Sequence, residues 1–362
     1  MYLLNSSVRG FRNLRDSQLE WGSGFNILWG ENAQGKTNLL ESIYLLGHLK
    51  SFRSARGTEL IAHNAAKAVL GGAIKAANVI NRIELVLEQG GRIPSINGKK
   101  VRKLSDFLGY LRPILFTPEE MELIKGYPAG RRALLDRAIV QQDPLYLDRA
   151  QEFYRILKQR NLLLKQEAGR LEIEPWTRSL IVAGAGIRRQ RSDFLKDFKP
   201  LFREAYQEIA ENREQPEIDY PYETSDRENL EKQLHHELER QSGRERQYKQ
   251  TLAGPHRDNP EFLIDGRPLR TFGSQGQQRS FLLAFKSTQV ISLERQLGES
   301  PVLLLDDLTS ELDWRRQQGF FKFLLTRRGQ VFITTTRPNI LGDHGPVEAR
   351  FYQVFDGSVN IQ

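Results

Sequence analysis

Eight consecutive residues, Gly30-Glu31-Asn32-Ala33-Gln34-Gly35-Lys36-Thr37, have the spacing GxxxxGKT of a phosphate-binding loop. Glycines let the backbone wrap closely around phosphate oxygens. The loop N–H groups and the positive end of the next helix then face negative charge. In this pattern Lys36 reaches the β- and γ-phosphates of ATP, Thr37 ligates Mg²⁺, and residues Gly30 through Asn38 make up the nucleotide contact. The plain alternative is an ordinary glycine turn that opens a helix. A second candidate is Val302-Leu303-Leu304-Leu305-Asp306-Asp307. Its four apolar residues predict a buried strand delivering two carboxylates at the C-terminal edge of a sheet, where α/β proteins bind ligands. Asp306 is expected to hold Mg²⁺ through water, and Asp307 to orient or deprotonate the attacking water. Read alone, the same residues fit a strand end whose aspartates cap the next turn.

Two further stretches stand in the order expected of an ABC ATPase. Ser274-Gln275-Gly276-Gln277-Gln278-Arg279 resembles the ABC signature, usually LSGGQ, and would place Ser and Gly at a helix N-terminus as an anion site. In that family the signature binds the γ-phosphate of ATP held by the other subunit. Ser310-Glu311-Leu312-Asp313 matches the D-loop, which lies at the dimer seam.

The elements that must position these residues follow from periodicity. Tyr2 to Val8 and Phe25 to Trp29 read as strands, and a helix should begin near Gly35 with Leu39, Leu40, Ile43 and Leu46 on its buried face. Residues 68–101 read as a small β region with turns at Gly90-Gly91 and Asn97-Gly98. From Pro118 to about Gln250 the pattern is helical and highly charged. Trp176, Leu180, Ala183, Ile187, Phe194, Phe198, Leu201, Ala205 and Ile209 lie close to one helical face that Arg191 interrupts. A further helix is expected from Ser225, with Glu228 completing a capping box. Strands return after Thr251, at Phe262 to Ile264, Val302 to Leu305 and Val331 to Thr334, with a helix following Gly276. The fold class is therefore α/β: an ABC-type P-loop ATPase head with a mixed sheet, plus an inserted α-helical subdomain. Residues 1–117 and 251–362 form the ATPase domain and 118–250 the insert.

Composition narrows the chemistry. The 362 residues contain no cysteine, which excludes disulfides, thiolate metal sites and cysteine nucleophiles. The six histidines fall in no HxxxH or HExxH spacing. No apolar run approaches the roughly 18–20 residues that span a bilayer. Met1 to Gly10 lacks the pattern of a signal peptide, so a cytoplasmic protein with no membrane partner is expected. Lys and Arg number 53 against 45 Asp and Glu, a net charge of +8 that suits a polyanion such as nucleic acid. Arg131, Arg132, Arg188, Arg189 and Arg191 are candidate phosphate contacts, although such runs also form solvated helix faces. Arg53 and Arg56 follow the P-loop helix and are candidates to face nucleotide or DNA.

The chain resembles the RecF family of the SMC-like ABC group. The resemblance rests on Val8-Arg9-Gly10-Phe11-Arg12-Asn13-Leu14, Asn38-Leu39-Leu40-Glu41 after the P-loop, Leu115-Phe116-Thr117-Pro118-Glu119-Glu120, Lys125-Gly126 with Arg131-Arg132, and Leu135-Asp136-Arg137. It also rests on Thr251 through Asp258, Thr271 through Arg279, and Gln330 through Thr336. It covers both ends of the chain; the helical middle matches in size and character. The resemblance implies a homodimer that forms with ATP and binds DNA near single-strand/double-strand junctions at gaps. With RecO and RecR it would promote RecA loading and SOS induction, as a slow, DNA-stimulated ATPase acting as a switch. The signature residues Ser274, Gln275, Gly276 and Gln277 would touch ATP in trans, with Ser310 and Asp313 at the seam. Asn259 stands where an acidic residue commonly follows His-Arg-Asp, and Thr334-Thr335-Thr336 occupies the neighbourhood of the ABC switch histidine. A transporter-associated subunit, a P-loop metabolite kinase or GTPase, and an SMC-like clamp with negligible hydrolysis are the rival readings. DNA stimulation of turnover and a metabolite phosphorylation assay separate them.

Overall fold

A computed structural model describes residues 1–53, 57–210, 214–222, 226–307, 314–327, 329–338 and 348–362. They fall into two compact units, Met1–Glu120 with Leu283–Gln362, and Met121–Leu282. The first unit runs β1 (Tyr2–Arg9), β2 (Ser17–Glu20), β3 (Phe25–Trp29), α1 (Lys36–His48), β4 (Ala68–Ala76), β5 (Val79–Glu88), β6 (Gly91–Ile96), β7 (Lys99–Lys100), α2 (Leu104–Phe107) and β8 (Pro113–Phe116). The second contains α3 (Met121–Lys125), α4 (Pro128–Gln142), α5 (Leu145–Lys165), α6 (Arg170–Ala210), β9 (Pro216–Asp219), α7 (Arg227–Tyr248), β10 (Glu261–Ile264), β11 (Arg267–Pro268) and α8 (Leu269–Phe272). Helix α9 (Gln275–Leu297) begins in the second unit and ends in the first. The first unit closes with β12 (Val302–Leu305), α10 (Trp314–Leu325), β13 (Val331–Thr335), β14 (Ala349–Phe355) and β15 (Ser358–Ile361).

Two six-stranded sheets build the first unit. One is antiparallel in the order β2-β1-β4-β5-β6-β7; the other runs β15-β14-β3-β13-β12-β8. In the second sheet β14, β3, β13, β12 and β8 are parallel neighbours and only β15 is antiparallel. A parallel strand covered on both faces is apolar throughout, which is why Val302 to Leu305 reads as an unbroken run and is buried at every residue. Strand β5 instead alternates, burying Ile83, Leu85 and Leu87. Leu39, Leu40, Ile43 and Leu46 of α1 are buried in a core shared by both sheets. Gln330 ties the sheets together: its side-chain amide accepts from Leu3 N at 2.8 Å and donates to Leu3 O at 2.9 Å and Gly22 O at 2.7 Å. The ring of Trp21 meets Phe332 edge-on at 5.0 Å. Strand β13 lies between β3, which leads into the P-loop, and β12, which carries the aspartates, so its C-terminal end reaches the same edge as both.

In the second unit α5, α6 and α7 pack on one another. Helix α6 spans 41 residues, a length of about 60 Å at 1.5 Å per residue. Its expected apolar stripe is buried from Leu180 to Ile209, with Trp176 and Ala183 only half-covered. Helix α7 is capped by Asp226, whose carboxylate accepts from Glu228 N at 3.0 Å; Ser225, the expected cap, lies outside the described residues. The return to the first unit falls at residue 282, not at 250 as read from the sequence. The reason is pairing: β10 is antiparallel to β9 and to β11, which binds residues 261–268 to the helical unit.

Gly47 of α1 and Gly186 of α6 make opposite predictions. A Cβ on Gly47 would lie 2.1 Å from Pro113 Cδ and 2.9 Å from Leu111 O, whereas one on Gly186 meets nothing within 4 Å. Gly47→Ala should destabilise the protein by at least about 1–3 kcal/mol. Gly186→Ala should stabilise it by about 0.5–1 kcal/mol through helix propensity. Thermal unfolding of the two variants checks both signs.

Candidate functional site

The phosphate-loop sequence forms the bend its glycines predict. Gly30 has φ +153° and Gly35 φ +111°, and Ala33 between them sits in the left-handed region at φ +65°. Gly30 cannot be replaced, because a Cβ there would stand 2.3 Å from the carbonyl oxygen of Val354 on the neighbouring strand. Gln34 anchors the loop from outside, accepting from Asp356 N at 2.7 Å through Oε1 and from Gly357 N at 3.1 Å through its backbone oxygen. Lys36 Nζ donates to Gly30 O at 2.7 Å and Glu31 O at 2.6 Å, which centres the ammonium in the loop. Asn38 donates to Asn13 Oδ1 at 2.6 Å and accepts from Arg53 at 2.9 Å. Arg12 forms a bidentate pair with the fully buried Glu41 at 2.9 and 3.0 Å. The sequence reading gave Arg12, Asn13 and Glu41 no role of their own; they brace the first turns of α1 behind the loop. Arg56 lies outside the described residues.

At the ends of β12 and β13 the acidic half of the site closes on the loop. Thr37 Oγ1 donates to Asp306 Oδ1 at 2.9 Å, and Thr334 Oγ1 donates to the same oxygen at 2.7 Å. Thr334 also accepts from Asp307 N at 2.9 Å. Asp307 itself adopts φ +45°, a left-handed geometry that costs a non-glycine residue energy and turns the chain sharply at the strand end. Burial pushes the Asp306 carboxyl above its ordinary range; the hydrogen bonds from Thr334 and Thr37 oppose this, and Glu119 and Asp307 add to it. Burial likewise lowers Lys36 below the usual lysine range, against the pull of Asp307 and then Asp306. A buried carboxyl disfavoured as an anion, beside a hydroxyl at hydrogen-bond distance, is a donor set suited to a hard, oxygen-preferring cation such as Mg²⁺. The loop suits a triphosphate for the same electrostatic reason. Lys36, Thr37, Asp306 and Asp307 are thus brought together, and Thr334 joins them. The Thr run at the end of β13 was the only sequence signal for Thr334.

The chain matches the family described as RecF/RecN/SMC N terminal domain over residues 2–357. It is 45% identical over 359 residues, 99% of both chains, to the DNA replication and repair protein RecF of Syntrophotalea carbinolica, and 39% identical to that of Geotalea uraniireducens over 99% of this chain and 98% of that one. This chain belongs to the RecF family. A solved structure of the recombination mediator protein RecF with ATP, 33% identical, superposes with a TM-score of 0.90 over 100% of this chain and 99% of that one. The Smc head domain of Pyrococcus furiosus, 15% identical, shares the fold with a TM-score of 0.57. The fold is that of a RecF/SMC-type ATPase head. None of the described helices is long and apolar enough to cross a membrane.

In this RecF-family chain Ser274 to Gln277, the run expected to act as the signature, belong to the second unit. Ser274 caps α9 in a reciprocal box: Gln277 N donates to Ser274 Oγ at 3.1 Å, and Ser274 N donates to Gln277 Oε1 at 2.8 Å. Gln277 Nε2 also donates to Glu214 at 3.0 Å. Ser274 and Gln275 are exposed and Gly276 half-exposed, leaving the helix N-terminus open to an anion. The D-loop residues Ser310 and Asp313 lie outside the described residues.

The arginines expected to meet DNA are mostly spoken for. Arg188 is buried and donates to Asp258 Oδ1 at 2.9 Å and to Glu237 at 2.8 Å. Arg191 is buried against Asp136 at 2.9 and 3.0 Å, Asp258 at 3.2 Å and Pro255 O at 2.9 Å. Tyr146, Tyr220 and Tyr222 donate to Asp136, Asp258 and Glu237 respectively. Arg132 donates to Asp258 O at 2.7 Å and is half-buried, and Arg131 is buried. Arg188, Arg191 and Arg131 therefore leave the list of DNA contacts, because their guanidiniums face the interior; of the five only Arg189 is exposed, 3.6 Å from Asp193.

Asp306→Asn should raise the melting temperature of the nucleotide-free protein by a few degrees, a gain of about 0.5–2 kcal/mol, while abolishing ATP turnover. The raised carboxyl pKa means that the ionised form is the costly one, so the gain should be largest at neutral pH, shrink as pH falls below the folded-state value and vanish below the ordinary aspartate value. Asp258→Ala, which strands Arg188 and Arg191, should destabilise the second unit by about 3–5 kcal/mol; hydrogen exchange of α6 amides measures it.

Proposed function

We propose that this chain is an ATP-dependent DNA-binding switch of recombinational repair and replication. It pairs as a homodimer around ATP and Mg²⁺ and binds single-stranded DNA and single-strand/double-strand junctions at gaps. With RecR and RecO it acts in the cytoplasm to promote RecA loading and SOS induction. The relatives named DNA replication and repair protein RecF and the ATP-bound recombination mediator support the reading. The observation that carries it is the junction at Asp306, where Thr37 and Thr334 both donate to one carboxylate oxygen at the mouth of the P-loop.

The geometry supports a role for each residue. Backbone N–H groups from Gly30 to Gly35 and Lys36 Nζ take the phosphate oxygens, and Lys36 exchanges its loop carbonyls for them. Thr37 and Asp306 would hold Mg²⁺, which when bound neutralises charge on the β- and γ-phosphates. Asp307 orients the attacking water and accepts its proton; being shorter than the glutamate usual in ABC ATPases, it makes hydrolysis slow. Ser274, Gln275, Gly276 and Gln277 of one protomer meet the γ-phosphate held by its partner, with Ser310 and Asp313 at the seam, and two-fold pairing gives two such sites. Differential affinity for ATP in the paired state drives closure, and hydrolysis reverses it.

Size measurements with ATP, ADP and no nucleotide, each with and without gapped DNA, test this. Wild-type protein should dimerise with ATP alone, and Lys36→Ala should stay monomeric. Ser274→Arg should bind ATP normally yet fail to pair; the lost cap costs only about 1 kcal/mol. A Ser274→Arg protein that dimerises as wild type does would refute the composite site. ATP turnover should rise with gapped DNA, an effect that a transporter subunit or metabolite kinase would not show.

A further inference from the structure

Arg131 is a buried cation that makes no ion pair among the described residues. The residue is 4% exposed, and its guanidinium donates to Pro260 O at 2.7 Å, Gly126 O at 2.9 Å and Asn259 Oδ1 at 2.8 Å, three neutral acceptors. Every other guanidinium at comparable depth in this unit has a carboxylate in contact: Arg160 with Glu245, Arg188 with Glu237 and Asp258, Arg191 with Asp136 and Asp258. The surroundings of Arg131 are cationic. Burial lowers its pKa most, Arg270 lowers it further, Glu261 opposes them, and Arg132 adds to the lowering. Glu261 accepts from Asn259 Nδ2 at 3.0 Å. On the same segments Arg257 and Arg270 are exposed and form no ion pair among the described residues.

Leaving a charge buried without a counter-ion is costly. A carboxylate at position 259 would meet Arg131 at the present 2.8 Å, while its other oxygen would face Glu261, to which Asn259 Nδ2 now donates at 3.0 Å. We infer that the Arg131–Asn259 pair keeps this positive charge uncompensated, and that Arg257 and Arg270 form with it a site for phosphate oxygens. Arg257 and Arg270 make the contacts, and Arg131 acts through its field. The inference deepens the proposed function and rests on it for the source of the phosphate. That source is either the backbone of DNA or the triphosphate held by a partner protomer, since Arg270 lies just before the signature serine in the chain.

The test uses the full chain with Asn259→Asp, which keeps the shape of the side chain and restores a counter-ion, and Arg270→Gln as an independent surface change. Anisotropy with gapped DNA is read across a salt series, beside ATP-driven dimerisation read by sizing. If DNA supplies the phosphate, both variants should bind it several-fold more weakly, and the salt slope of Arg270→Gln should flatten by about one. ATP-driven pairing should stay as in wild type. If the partner's nucleotide supplies it, both variants should need several-fold more ATP to pair, with an unchanged salt slope for DNA. Variants that match a competent wild type in both assays overturn this inference alone. A wild type that neither binds gapped DNA nor pairs with ATP overturns the functional reading, and this inference falls with it.

Discussion

One carboxylate oxygen organises the first unit. Asp306 Oδ1 accepts from Thr37, the last residue of the phosphate loop, and from Thr334, near the end of β13, at 2.9 and 2.7 Å. Those three residues come from the start, the late middle and the end of the chain, and no local preference unites them. They meet because β3, β13 and β12 are adjacent and parallel, so their C-terminal ends open on one edge. The loop gains a fixed distance to the acidic strand, and the carboxyl gains hydrogen bonds that offset part of the cost of its burial. The rest of that cost remains, and it holds the carboxyl above its ordinary range.

The second unit uses charge differently. Arg188 and Arg191 stand in the apolar stripe of α6, where an unpaired guanidinium would be ruinous, and each is matched by carboxylates from α4, α7 and the 251–258 loop. Buried ion pairs rarely add much stability over well-packed apolar groups, but they punish misassembly severely. Asp258 accepts from Arg188, Arg191 and Tyr220 together, so the Gly-Pro-His-Arg-Asp segment can sit in only one place. His256 within it is held neutral, its pKa depressed to about 4 mainly by burial. The segment leads through β10 and β11 to α8 and the capping box at Ser274.

The sequence made local structure legible where a motif is contiguous. The GxxxxGKT run, the β12 aspartates and the Ser274 run each adopt the local structure that their pattern predicts. Arginine is the counter-example. Arg131, Arg188 and Arg191 look in one dimension like a phosphate-binding run. A guanidinium on a helix is a surface cation or a buried strut depending on whether carboxylates from other segments stand opposite, and helical periodicity carries no such information. The unit boundary failed to show for the same reason: the return to the ATPase sheet reads as a change of composition near 250, whereas the pairing of β10 with β9 is a long-range contact.

By itself, then, the sequence determined the kinds of local geometry available: a left-handed glycine bend before a helix, a doubly covered parallel strand ending in two carboxylates, a Ser-to-Gln helix cap. These depend on interactions within a few residues, which order in the chain specifies. Tertiary structure alone decided which charges cancel. It gave Thr334 its part at Asp306, assigned Glu41 to Arg12, enclosed Arg188 and Arg191, and left Arg131 facing an amide. Coulomb energies and desolvation depend on distance and burial in space, and neither is a property of position along the chain.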